Sequence, residues 1–176
     1  MIDSHEETVA ARLQRLEDIE AIRRLKARYL NACDQKDSQQ VRACFADGEI
    51  LVDTAHLGVF KSADSFVAMY SDAALHDHIL DKHQAGNAEI DIVGTHDAHG
   101  LWCLDYRNIN IRDRTLTLMS VIYHDTYKKI GGVWKISGSR SEFKTALCCS
   151  YATGTLEALI AGQSVADPPI EQRKVA

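Results

Sequence analysis

Residues 87–143, NAEIDIVGTHDAHGLWCLDYRNINIRDRTLTLMSVIYHDTYKKIGGVWKISGSRSEF, decide the fold. The stretch is rich in β-branched and aromatic residues, and turn signals break it at HDAHG, RDR and IGG. Branched and aromatic side chains fit a pleated strand, while Gly and Asp supply the turns. The pattern predicts four long strands, at about 88–95, 98–111, 114–130 and 133–143, joined as an antiparallel meander.

Upstream the periodicity changes. Leu13, Leu16, Ile19, Ile22, Leu25 and Tyr29 recur every three or four residues, with Arg12, Arg15, Glu20, Arg23 and Arg24 on the other side. This predicts one amphipathic helix over 9–33 that buries a single stripe. Asp37 or Ser38 caps a second, short helix carrying Val41, Cys44 and Phe45. The run EILVDTAHLGVF, residues 49–60, reads as two extended pieces around a bend. Ser62 caps a third helix, 63–75, that buries Phe66, Val67 and Tyr70. After Cys149 a short helix over 153–161 is expected, then a mobile end, SVADPPIEQRKVA. Residues 1–149 thus make one domain and 150–176 a C-terminal tail.

Helices first and a long antiparallel sheet second is an α+β order, not βαβ alternation. A curved sheet with helices on its concave side makes a cone, and the interior of a cone is a pocket for an apolar ligand.

Bulk properties narrow the partners. A net charge of −5 without a basic cluster gives no electrostatic reason to bind nucleic acid. No apolar run is long enough for a membrane span, and MIDSHEETVAAR lacks the apolar core of a secretory signal. Five cysteines, Cys33, Cys44, Cys103, Cys148 and Cys149, form no CxxC pair and read as reduced thiols of a cytoplasmic protein.

Three segments carry a family resemblance: DIEAIRRLKARYLNACDQKD at 18–37, DKHQAGNAEIDI at 81–92, and YHDTYKKIGGVWKIS at 123–137. Together they resemble the SnoaL-like branch of the nuclear transport factor 2-like superfamily, whose cone-shaped, cystatin-like α+β barrel matches the element order above. The pattern Tyr-x4-Asp with a later His is similar to scytalone dehydratase, the bile-acid dehydratases and the hexachlorocyclohexane dehydrochlorinase. The resemblance implies Tyr29, Asp34 and His83 as catalytic residues, with His83 as the base. Where the bile-acid dehydratases use an arginine in the last strand and a tyrosine in the first, this chain has Phe143 or Lys144, and Asp53.

The chemistry supports the trio on its own terms. Histidine titrates near neutral pH and can take a proton next to a carbonyl or hydroxyl. A carboxylate on its ring fixes the tautomer and stabilises the imidazolium. A tyrosine hydroxyl donates to the developing oxyanion or leaving group. No cofactor is needed. The structural alternatives are a core tyrosine, a helix-terminating aspartate and a surface-loop histidine. A metal site in HDHILDKH, residues 76–83, is the weaker reading, because His76 and His78 share a side only on a strand. A solvated loop is expected there, and no metal.

The expected function is a cofactor-independent lyase, a dehydratase-type elimination on a hydrophobic cyclic substrate such as a steroid, polyketide or aromatic-derived compound. The alternatives are isomerase or polyketide-cyclase chemistry with the same base, or a non-catalytic ligand-binding scaffold like the small subunits of ring-hydroxylating dioxygenases. Asp53, Phe60, Phe66, Trp102, Met119 and Tyr123 are candidate substrate-binding residues. In the last strand, alternation groups Trp134, Ile136, Arg140 and Glu142 on one face, with Arg140 and Glu142 paired. Apolar residues at both parities of 98–111 and 114–130 predict a second covered face, hence a homo-oligomer, trimer or dimer.

Overall fold

The computed structural model describes residues 8–151 and the backbone of 155–161. Helix α1, Val9–Asp34, is capped by Thr8, whose hydroxyl accepts from the Ala11 N–H. It ends in a Schellman turn. Lys36 takes a left-handed φ of 60°, its N–H bonds to Cys33 O, and the Asp37 N–H bonds back to Ala32 O. Asp37 then caps α2, Ser38–Ala43, through the Gln40 N–H. The same short segment therefore closes one helix and opens the next, and this fixes where Asp34 points.

After α2 come β1, Leu51–Asp53, a single 3-10 turn at Ala55–Leu57, and β2, Val59–Phe60, in an antiparallel pair. Helix α3, Ala63–Ala74, is capped by Ser62 as expected. The meander follows: β3 Ile79–Val93, β4 Asp97–Asn110, β5 Thr115–Ile130 and β6 Val133–Ser150. β7, Thr155–Ala161, pairs with the far end of β6. The sheet has seven strands in the order β2-β1-β6-β5-β4-β3, with β7 beside β6. β6 serves β1 near Gly138–Arg140 and β7 beyond Thr145, both opposite β5.

Four expectations need correction. Residues 155–161 are a strand, not part of a helix: β6 outruns β1 and leaves open backbone groups for β7 to pair with. The expected mobile end, 164–176, lies outside the described residues. β3 begins at Ile79, so the region after His78 is strand rather than loop. The turn-like residues at 86–88 form a bulge inside β3, where Asn87 takes φ 48° and the register shifts between Gly86 and Glu89. The helical stripe is buried only from Asp18 onward, since Leu13 is 55% and Leu16 64% exposed. The sheet does not reach under the first turns of α1.

The last correction decides what faces inward. β6 carries an extra residue at Ser137, because Thr126 pairs with Gly138 while Tyr127 pairs with Ile136. Alternation flips there. Trp134 and Ile136 are buried inside, and Ser139, Ser141 and Phe143 continue that face. Arg140 and Glu142 lie on the opposite one. They do not pair: Glu142 accepts from His124 Nε2 at 3.0 Å and from Lys144, which hold its carboxyl down at about 2.

The core gathers Ile22, Leu25, Val41, Phe45, Trp134 and Ile136 between the helices and the inner face of the sheet. Among the described residues no helix is long and apolar enough to cross a membrane. All five cysteines are free thiols.

Candidate active site

The elements converge on one cavity of about 200 Å³ between α1, α3 and the inner sheet face. Asp34 occupies the last turn of α1, at the negative end of the helix dipole, where a carboxylate is unfavourable without compensation. Three donors supply it. His83 Nδ1 lies 2.8 Å from Oδ1, the His83 backbone N–H donates to the same oxygen at 2.9 Å, and Lys82 Nζ donates to Oδ2 at 2.8 Å. Burial pushes the Asp34 carboxyl up, but these bonds outweigh it and hold the group below the usual carboxylate range. An ionised Asp34 makes Nδ1 the protonated nitrogen of a neutral ring, which leaves Nε2 as the basic atom.

His83 lines the cavity and Asp34 stands behind it. Strand alternation explains the division. On β3 before its bulge the odd residues face inward and the even residues outward, so Lys82 grips Asp34 from the rim while His83 enters the pocket. The same alternation brings in Asp81. Its direct partner on β4 is Asn108, and the partner of His83 is Tyr106. The Tyr106 ring packs on His83 with centroids 4.8 Å apart. Both Tyr106 OH, at 2.6 Å, and Asn108 Nδ2, at 2.8 Å, donate to Asp81 Oδ1.

Tyr29 lines the cavity with its ring edge-on to Phe45 at 5.4 Å, and its hydroxyl lies beside the Cys33 thiol. Burial raises Tyr29 well above its ordinary value and raises Tyr123 as well, so both are hydroxyl donors at neutral pH. Burial likewise pushes the Cys33 thiol up to about 12. Tyr70 also lines the pocket, but its hydroxyl is committed to Cys33 O at 2.9 Å, which ties α3 to the end of α1.

Among the other anticipated residues, Phe66, Met119 and Tyr123 line the cavity. Phe60 does not; it packs on Phe66 from behind, with ring centroids 5.9 Å apart. Trp102 is buried away from it, donating to Tyr127 OH at 2.9 Å. Asp53 also lies off it, where its carboxylate accepts from the Ala55 N–H and shapes the turn after β1. Sequence reasoning missed Asp81, Tyr106, Asn108, Ser139, Ser141 and Phe143. The first three were readable only by extending β3 back through His83, and the last three only by allowing for the bulge at Ser137. Among the described residues, no group of three or more His, Cys, Asp or Glu could hold a metal ion.

A family model described as a SnoaL-like domain matches residues 14–140. The chain belongs to the SnoaL-like family. Solved structures share the fold of this SnoaL-like chain. A candidate scytalone dehydratase from Novosphingobium aromaticivorans is similar at 17% identity and a TM-score of 0.71, over 88% of this chain and 97% of that one. A hexachlorocyclohexane dehydrochlorinase from Novosphingobium barchaimii is similar at 18% identity and a TM-score of 0.67, over 74% and 89%. A nuclear transport factor 2-like protein with a cystatin-like fold, also from N. aromaticivorans, is similar at 19% identity and a TM-score of 0.64, over 79% and 90%. No curated protein matches the sequence of this SnoaL-like chain. The resemblance read from the three sequence segments is thus borne out at the level of family and fold.

Proposed function

We propose that the protein is a cofactor-independent lyase that eliminates water, or a comparable leaving group, from a small hydrophobic ring compound. The observation that carries this reading is the His83 ring at the wall of an apolar cavity, with Nδ1 on the Asp34 carboxylate at 2.8 Å. Nε2 takes a proton from a carbon of the bound ring. Asp34 stabilises the imidazolium that results, and the Tyr29 hydroxyl donates to the departing oxygen. The aromatic and aliphatic wall, including Phe45, Phe66, Leu104 and Phe143, keeps bulk water from the reacting atoms. The names of two fold neighbours, a dehydratase and a dehydrochlorinase, agree with elimination. A cavity of ~150 Å³ accommodates benzene. The present 200 Å³ therefore favours one or two rings over a four-ring steroid.

The test is a panel of hydroxylated one- and two-ring compounds followed by mass spectrometry. A product lighter by water supports the reading, and a product of unchanged mass moves the protein to isomerase or cyclase chemistry with the same base. On the substrate found, His83→Ala is expected to lower turnover about 10²- to 10⁴-fold. Near-wild-type turnover in both His83→Ala and Asp34→Asn removes this mechanism.

A further inference from the structure

Asp81 is a second carboxylate in the cavity, and proton abstraction by His83 leaves it without a task. It stands two residues before His83 on the same face of β3, so the two side chains root about 7 Å apart. That is the span of one six-membered ring with its substituents. Asp81 Oδ1 is held by Tyr106 OH and Asn108 Nδ2. Among the described residues Oδ2 receives no hydrogen bond and no cation. The cations nearby are committed elsewhere: Lys82 to Asp34 and Lys26 to Asp125. Among the described residues no lysine or arginine lines the cavity.

We propose that Asp81 determines what the cavity admits. Its free oxygen Oδ2 accepts a hydrogen bond from a hydroxyl on a neutral one- or two-ring substrate and turns carboxylates away. A carboxylate oxygen in a partly dry cavity is costly without a donor, and a ligand that supplies one is bound more tightly for it. An anionic ligand would meet the Asp81 charge with no lining cation to offset it. The rigid hold on Oδ1 fixes the free oxygen, so the recognised hydroxyl sits one ring-width from the His83 base. This deepens the elimination reading and rests on it for the choice of face attacked.

The experiment measures binding, so it stands apart from turnover. Titrate 2-naphthol, 2-methoxynaphthalene and 2-naphthoate into wild-type protein, Asp81→Asn and His83→Ala at neutral pH, and follow each by calorimetry. Wild-type protein is expected to bind 2-naphthol about 10- to 100-fold more tightly than the methyl ether or the carboxylate. His83→Ala keeps that order. Asp81→Asn, which removes the charge and turns an amide donor to the lumen, reduces the preference for naphthol over naphthoate by about tenfold or more. Equal wild-type affinities for the three compounds overturn the proposal without recourse to any variant. So does an unchanged preference in folded Asp81→Asn, or no binding of 2-naphthol at about 1 mM. Loss of the proton-abstraction reading would leave these affinities in place. Failure of the Asp81 reading would leave the His83 turnover result in place.

Discussion

Lys26 Nζ lies 2.7 Å from Asp125 Oδ2, and both side chains are sealed from solvent. The pair is fully bonded. Tyr127 OH donates to the same carboxylate oxygen at 2.8 Å, and Ser139 Oγ donates to the other at 2.7 Å. The Lys26 ammonium also sits 3.8 Å from the centroid of the Tyr123 ring. Because Tyr123 and Ser139 line the cavity, this charge pair underlies the pocket wall.

Removing one partner strands the other in the core. Lys26→Met is expected to destabilise the protein by about 3–5 kcal/mol. The double variant Lys26→Met, Asp125→Leu recovers much of that loss. Urea unfolding of the two single variants and the double variant checks both statements. A single-variant loss under about 1 kcal/mol would count against a dry, paired site.

Acid stability depends on Asp34. Its folded carboxyl is held below the ordinary value of 3.8, so it contributes stability above that pH. The contribution is lost as pH falls through the lower, folded value. Asp34→Asn is therefore expected to be less stable than wild type at neutral pH, with the gap narrowing at an acid pH below 3.8. Denaturation midpoints at the two pH values measure it, and a gap that widens in acid contradicts the sign.

Gly100 faces inward on β4, where an added Cβ would lie 2.9 Å from Tyr127 Cε2 and 3.0 Å from Trp102 Nε1. Those rings are hydrogen-bonded to each other and cannot separate cheaply. Gly100→Ala is expected to cost about 1–3 kcal/mol, lowering Tm by roughly 3–10 °C. Gly86→Ala, with open space around the added methyl, serves as the comparison. Equal melting temperatures for the two variants would show that the core yields at Gly100.

The outer face of the sheet predicts assembly. Pairing places Leu101 with His124 and Leu118 with Leu147, opposite the face of Tyr123 and Met119. Leu101, Leu116, Leu118 and Ile122 thus share the outer face, an apolar patch larger than a solvated sheet needs. A homo-oligomer through this face is expected. Light scattering at micromolar concentration that returns about 19.6 kDa, the mass of one chain, rules it out.

Much of the architecture was readable from the chain. Asp37 and Ser62 announced their helices, and the turn signals separated the four long strands. Bulges were not readable. Gly86–Asn87 look like a turn, so the first long strand reads as starting only at 88, and Ser137 looks like an ordinary strand residue, so counting by twos ran off course there. The helical stripe gave the side to be buried but not how far the sheet would extend beneath it, so Leu13 and Leu16 were misjudged. Tyr29 and Asp34 stood out by their place at a helix end. Asp81, Tyr106 and Asn108 did not, because cross-strand register makes them neighbours and no local pattern records it.

The bulge at Ser137 also sets the chemistry of the interior by register rather than by side-chain identity. With it, the strand presents two hydroxyls and a phenyl ring to the ligand. Had the strand alternated regularly through Ser137, the same residues would present Arg140, Glu142 and Lys144, and Asp125 would lose the Ser139 hydroxyl. The neutral wall therefore comes from where the bulge falls, while every amino acid stays as it is.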